Sequence, residues 1–185
     1  RAYKKDDSRV VARYARAIAY YRIPDLTKAL PLIDGLIDEY PTDPYFQELK
    51  GQVLFENGNI NDSIIHYEKA VMLGKGSHLL YRALGRVLIE TGDPALLKQA
   101  IKNLTLAVDA DKSDSFAWRL LGTAYGKAGK LGQSSLALAE AALLNRKQAD
   151  ARFHGERAAS LLKKGSAEWI HAKDILHALK SHKPK

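Results

Sequence analysis

The sequence predicts an all-α fold, an α-α superhelix of four helical hairpins followed by a degenerate fifth. Three observations predict it. Small residues recur in the first half of each unit (Ala17, Gly51, Gly85, Gly122) and in the second half (Ala29, Ser63, Ala100, Ser134), the first series stepping by 34, 34 and 37 residues and the second by 34, 37 and 34. Helix breakers stand at the fifteenth position of each unit, Pro24, Gly58, Gly92 and Gly129, where a turn must reverse the chain. The apolar residues between these markers are three or four apart, the spacing of one helix face. A unit this short cannot bury such a face alone, so it stacks on its neighbours.

The hairpins are expected at 9–22/25–39, 44–57/60–73, 77–91/94–110 and 114–128/131–145. The first is carried by Ala17, Tyr20, Ala29, Ile33, Leu36 and Pro41. The second has Gly51, Leu54, Gly58, Ser63, Tyr67 and Ala70. In the third stand Tyr81, Leu84, Gly85, Leu88 and Gly92, then Ala100, Leu104 and Ala107. Its three additional residues near Pro94–Leu97 are most simply absorbed by a longer second helix, started by Asp93 as cap and Pro94 in the first turn. The fourth reads Trp118-Arg119-Leu120-Leu121-Gly122-Thr123-Ala124-Tyr125, with Gly129 in the turn and Ser134, Leu138 and Ala141 beyond it. Where two helices cross at a small residue their axes come closest; Trp118, Tyr125, Tyr67 and Leu88 are expected to fill the space between. A further pair follows. Residues 147–164 carry Ala151, Ala158, Leu161 and Leu162, and Ser166 is expected to cap a last helix with Trp169, Ile170, Ile175, Leu176 and Leu179. The organisation is thus an extension over 1–8, four hairpins over 9–146, a capping helix pair over 147–180 and a disordered tail over 181–185. Terminal units of such arrays need a different outer face.

The fourth unit resembles the tetratricopeptide repeat pattern W-x2-L-G-x2-Y, and the others follow it more loosely. In arrays of that family the first helix of each hairpin lines a concave groove. The resemblance therefore implies a groove holding Val11, Tyr14, Ile18, Tyr21 and Arg22; Tyr45, Glu48, Gln52, Phe55 and Glu56; Leu79, Arg82, Arg86, Ile89 and Glu90; and Phe116, Arg119, Thr123, Gly126 and Lys127. Tyr14, Tyr21, Gln52, Phe55, Arg82, Arg86, Arg119, Thr123 and Lys127 are the candidate peptide-binding residues, aromatic at the N-terminal end and basic at the other. Such a surface suits an extended peptide with apolar side chains at one end and an acidic group at the other, because arginine holds a carboxylate through two parallel hydrogen bonds. Co-chaperone repeats that clamp a C-terminal carboxylate use paired Asn and Lys. Here Gln52 and Arg86 occupy neighbouring slots without those Asn residues, a departure from that clamp.

Catalytic patterns are absent. None of the six histidines falls in H-E-x-x-H, and His154-Gly155-Glu156 has no second His four residues on. No G-x-S-x-G elbow, P-loop or dinucleotide fingerprint occurs, so this chain is not expected to be an enzyme or to hold a metal or cofactor. With no cysteine, it forms no disulfide. The longest run free of Lys, Arg, Asp and Glu is nine residues, Leu131 to Ala139, far short of the roughly 18 a membrane helix needs. The net charge is +8, and the last 40 residues hold ten Lys or Arg against four Asp or Glu. This basic excess is not interleaved with exposed aromatics, so a nucleic-acid partner is not expected. The chain begins without Met and without a signal-peptide pattern, so it is expected to be an excised piece of a longer protein.

A narrower resemblance comes from local segments: Ala12-Arg13-Tyr14-Ala15-Arg16-Ala17, Leu32-Ile33-Asp34-Gly35-Leu36-Ile37, Pro44-Tyr45-Phe46-Gln47-Glu48-Leu49-Lys50-Gly51-Gln52, Thr91-Gly92-Asp93-Pro94-Ala95-Leu96-Leu97, Phe116-Ala117-Trp118-Arg119, Ala139-Glu140-Ala141-Ala142 and Gly165-Ser166-Ala167-Glu168-Trp169. Together they resemble the C-terminal repeat region of BepA-like zinc metallopeptidases, periplasmic proteases with chaperone-like activity. The resemblance implies a separate zinc-bearing protease domain as a partner, with zinc confined to it. It also implies clients among outer-membrane proteins and their assembly machinery, and a periplasmic location. The alternative is a free-standing cytoplasmic scaffold or co-chaperone of the same fold.

Overall fold

The computed structural model describes residues 7–181, and within them the chain folds into ten helices with no strand among the described residues. They are α1 (Val10–Arg22), α2 (Leu26–Glu39), α3 (Pro44–Glu56), α4 (Ile60–Leu73), α5 (His78–Glu90), α6 (Pro94–Ala110), α7 (Ser115–Lys127), α8 (Leu131–Leu144), α9 (Gln148–Leu161) and α10 (Ala167–Ser181). The chain divides into two compact units, Arg1–Leu80 and Tyr81–Lys185, the division falling inside α5. Expected and observed helix bounds agree within one or two residues except at α9, which ends at Leu161 rather than Lys164. Most of the expected extension and tail, residues 1–6 and 182–185, lie outside the described residues; Ser181 closes α10.

In the first unit, α1 packs on α2, α2 on α3 and α3 on α4. Ala17, Ile33, Leu49 and Val53 form its core, flanked by Ile18, Tyr21, Leu26 and Leu30. The small residues stand at the crossings. A Cβ on Gly51 would come within 2.9 Å of the Tyr67 ring, and Ser63, fully buried, gives its hydroxyl to the Ile60 carbonyl at 2.6 Å, so its one polar group is satisfied inside its own helix. Asp43 caps α3 by accepting from the Tyr45 amide at 2.8 Å, with Pro44 in the first turn. Pro31 sits inside α2, half-way along a helix whose other residues carry the amphipathic pattern. His66 and the buried Gln47 share a hydrogen bond of 2.8 Å, and burial holds the imidazole down to about 4, because the charged ring would lose its hydration.

The second unit repeats the scheme. A Cβ on Gly85 would stand 2.5 Å from Leu104, and one on Gly122 would stand 2.8 Å from Leu138. Ser134 donates its hydroxyl to the Gly122 carbonyl at 2.8 Å, tying α8 to α7 where they approach closest. The longer second helix of the third hairpin is α6, of 17 residues against 14 in α2, α4 and α8, and Asp93 caps it through the Ala95 amide at 2.8 Å. Gly58 in the first unit and Gly92 and Gly129 here have φ of +83°, +70° and +73°, the left-handed region open to glycine at little cost. Arg146 takes the corresponding place after α8 at φ +58°, without glycine's freedom. Leu136, Ala139, Ala151, Ala158, Ala172, Ile175 and Leu179 form a core shared by α8, α9 and α10, and the Ser166 hydroxyl accepts from the Trp169 amide at 3.2 Å as the cap of α10.

Four side chains depart from the expected packing. Trp118 and Tyr125 are half-buried, not enclosed like Tyr67 and Leu88. The indole of Trp118 donates to the Lys112 carbonyl at 3.0 Å, so its ring lies where the N–H reaches an acceptor. Leu161 and Ile170 are exposed, because α9 buries the face of Ala151 and Ala158 and α10 that of Ala172, Ile175 and Leu179.

Candidate functional site

Each unit carries part of the expected surface. In the first, α1 and α3 present it. Tyr14 is 42% exposed and its ring stands 6.3 Å from that of Phe46, which in turn lies 5.9 Å from Tyr40. Tyr45, at the start of α3, is exposed as well. Farther along, Glu56 joins two candidates: the Tyr21 hydroxyl and the Gln52 amide both donate to its carboxylate, the latter at 3.0 Å. A cavity of about 470 Å³ lies beside them, lined by Tyr21, Arg22, Pro24, Gln52, Glu56 and Asn57. Phe55 is half-buried. Glu48 shares the face of Gln52 and Glu56 at four-residue steps, and burial raises its carboxyl above the usual range. The aromatic end is therefore also acidic, which counting aromatics alone does not reveal.

In the second unit α5 and α7 supply the basic candidates, and the structure sorts them. Arg82 is paired with Asp114 at 2.6 Å. That carboxylate is 7% exposed and also accepts from the Phe116 and Ala117 amides, each at 3.0 Å, as the cap of α7. Arg82 thus stabilises the start of a helix and its charge is compensated. Phe116 lies between two guanidiniums, 4.9 Å from Arg119 and 5.4 Å from Arg82. Arg119 is exposed, and its guanidinium lies over that ring, a cation–π contact that holds the side chain. Arg86 is exposed, and so is Thr123, which donates to the Arg119 carbonyl at 3.1 Å. Lys127 donates to the Ile89 carbonyl at 3.3 Å, a cation at the C-terminal end of α5 where the helix dipole favours it. Ile89, expected in the groove, is 2% exposed: on α5 it turns into the core beside Leu88. Among the described residues no three His, Asp or Glu side chains converge as a metal would require, and no helix is long and apolar enough to cross a membrane.

The geometry is that of stacked helical hairpins crossing at small residues, with charged and aromatic side chains left on the first helix of each. Residues 1–44 and 14–78 match the tetratricopeptide repeat family. Solved structures align with nearly the whole chain. MamA (41-end) from Desulfovibrio magneticus RS-1 has a TM-score of 0.68 at 18% identity, over 93% of each chain. YrrB, a TPR protein with an unusual peptide-binding site, has 0.66 at 19% identity, over 96% of this chain and 90% of its own. TTC0263, a thermophilic TPR protein from Thermus thermophilus, has 0.55 at 17% identity, over 91% and 100%. No curated protein sequence matches the chain. The first 78 residues carry the sequence pattern of the tetratricopeptide repeat family, and the fold of the described residues is that of an α-α superhelix.

Proposed function

We propose that this chain is a non-catalytic module that binds client polypeptides along the first helices of its hairpins. The observation that carries it is the pair Arg86 and Arg119, exposed on α5 and α7, with Arg119 braced on Phe116. A guanidinium already held by stacking loses less side-chain freedom when it meets a carboxylate. Tyr14 and Tyr45 give the first unit exposed aromatic area, the residue type that anchors interfaces. The peptide-binding site of YrrB supports a polypeptide as the ligand class.

The test is a titration with an acidic, permanently unfolded protein such as reduced, carboxymethylated lactalbumin. The Arg86→Glu/Arg119→Glu variant should bind at least about tenfold more weakly. Equal affinity refutes the reading. Arg82 is left intact because its pairing with Asp114 belongs to the fold.

We further propose that the module follows the catalytic domain of a BepA-like zinc metallopeptidase. It would then be periplasmic, with outer-membrane proteins and their assembly machinery as clients and zinc in the catalytic domain alone. This rests on the segment resemblance. An H-E-x-x-H motif encoded upstream in the full gene supports it, and a start codon close to Arg1 favours a free-standing scaffold.

A further inference from the structure

We infer that the second unit holds a separate pocket for an acidic, amphipathic polypeptide segment, at the end of α7 where the chain turns into α8; this deepens the polypeptide-binding reading and rests on it. A cavity of about 490 Å³ opens there, within the size range of ligand pockets. Its apolar part is Pro94, Leu97 and Ile101 of α6 with Ala128 of the turn, and three lysines complete the lining, Lys98, Lys127 and Lys130. Among the described residues no carboxylate lines it. The nearby Asp93 is occupied in capping α6.

The lining selects its occupant. A free inorganic anion would leave the apolar wall wet, and a purely apolar ligand would bring no charge to three cations. The fitting chemistry is an apolar side chain with a carboxylate beside it. Two of the lysines are already positioned: Lys127 by the Ile89 carbonyl and Lys130 with its ammonium 5.9 Å from the Tyr125 ring centre. Lys98 is exposed.

A polypeptide is favoured over a small amphiphile by how the pocket continues the ridge of α7. Arg119, Thr123 and Lys127 follow one another at four-residue steps on one face of that helix. Eight residues of helix rise about 12 Å, the length of roughly three to four residues of extended chain. A segment with one carboxylate at Arg119 therefore delivers its third or fourth following residue to the pocket mouth beside Lys127.

The experiment uses the whole chain and a fluorescein-labelled hexapeptide, Asp-Glu-Ser-Ser-Phe-Asp, with a second peptide in which Ser replaces Phe, followed by polarisation. The Phe peptide is expected to bind roughly tenfold more tightly than the Ser peptide. In Lys98→Glu/Lys130→Glu its affinity should fall about tenfold or more. Amide resonances of Leu97, Ile101 and Ala128 in the wild-type chain should shift on adding the Phe peptide, a readout independent of any variant's folding. If the two peptides bind equally, or those three amides stay still while residues of the α5 and α7 faces shift, the pocket is overturned and the ridge reading stands. If neither peptide binds the wild-type chain, the pocket is likewise overturned. Lactalbumin titration then decides the broader reading by itself.

Discussion

Adding a single methyl group at Gly85 tests the crossing geometry directly. The Cβ of Gly85→Ala would stand 2.5 Å from Leu104 Cγ and 2.8 Å from its Cδ2, against an optimum carbon separation of about 3.5–4.0 Å. Leu104 is fully buried, so it cannot swing aside into solvent; either it leaves its rotamer or α5 and α6 move apart by about 1 Å. Overpacking of this kind costs about 1–3 kcal/mol, and alanine returns about 1 kcal/mol of helix propensity over glycine, leaving a net loss of about 0–2 kcal/mol. Gly35→Ala is the control. It lies within α2 with nothing inside 4 Å of its Cβ, so only the propensity gain acts and the protein should be stabilised by about 0.5–1 kcal/mol. Urea unfolding followed by circular dichroism measures both, with the denaturant slope unchanged if the native state keeps its compactness. Combining Gly85→Ala with Leu104→Ala should cost less than the sum of the two, since truncating Leu104 removes the clash. A Gly85→Ala midpoint raised as far as that of Gly35→Ala, or strict additivity in the double variant, would refute close approach at this position.

Three further outcomes follow from particular contacts. Arg146→Gly should stabilise by about 0.5–1 kcal/mol, because it relieves a left-handed backbone that glycine adopts freely; thermal melting measures it, and a lower midpoint contradicts the conformation. Trp118→Ala should cost about 2 kcal/mol, less than the roughly 3–5 kcal/mol of a buried ring, since the indole is half-buried and makes one hydrogen bond to Lys112; urea unfolding measures it, and a loss as large as that of a buried ring contradicts the half-buried placement. His171 and His66 respond to pH in opposite senses. Glu140 bonds His171 and raises its pKa, so that contribution is full below the unfolded value near about 6.5 and fades as pH rises through the raised one. His66, held down to about 4 by burial, is more readily protonated when unfolded, so its contribution is present above about 6.5 and fades as pH falls toward about 4. Imidazole resonances followed across the acidic and neutral range check both, and a His66 titrating at its ordinary value would refute the second.

Much of the fold was legible because small residues and breakers act locally. Gly92 reads as a turn since its backbone conformation suits glycine, and Asp93-Pro94 reads as a helix start since an acceptor there serves the Ala95 amide. The same Asp-Pro signature at Asp43-Pro44 caps α3 and could have been read equally. Arg146 gave no signal, because nothing in its side chain announces a left-handed backbone. Pro31 even argued against the helix that contains it; α2 persists because Ala29, Ile33 and Leu36 are fully buried.

The candidate surface was legible only by face. The resemblance to the repeat family, laid on the period, placed Arg82, Arg86, Arg119, Thr123 and Lys127 on the first helices of two hairpins. It could not show that Arg82 meets an acid 32 residues away, that Lys127 reaches a carbonyl of α5, or that Ile89 turns inward. The sequence by itself determined the period, the turns and the crossings, since these depend on backbone conformation and on side chains too small to hold two helices apart. The tertiary structure alone decided that Arg82 meets Asp114 and that an apolar wall and three lysines share one cavity. Those relations join residues of different helices, and small rotations about a helix axis, invisible to a spacing rule, choose each side chain's neighbour.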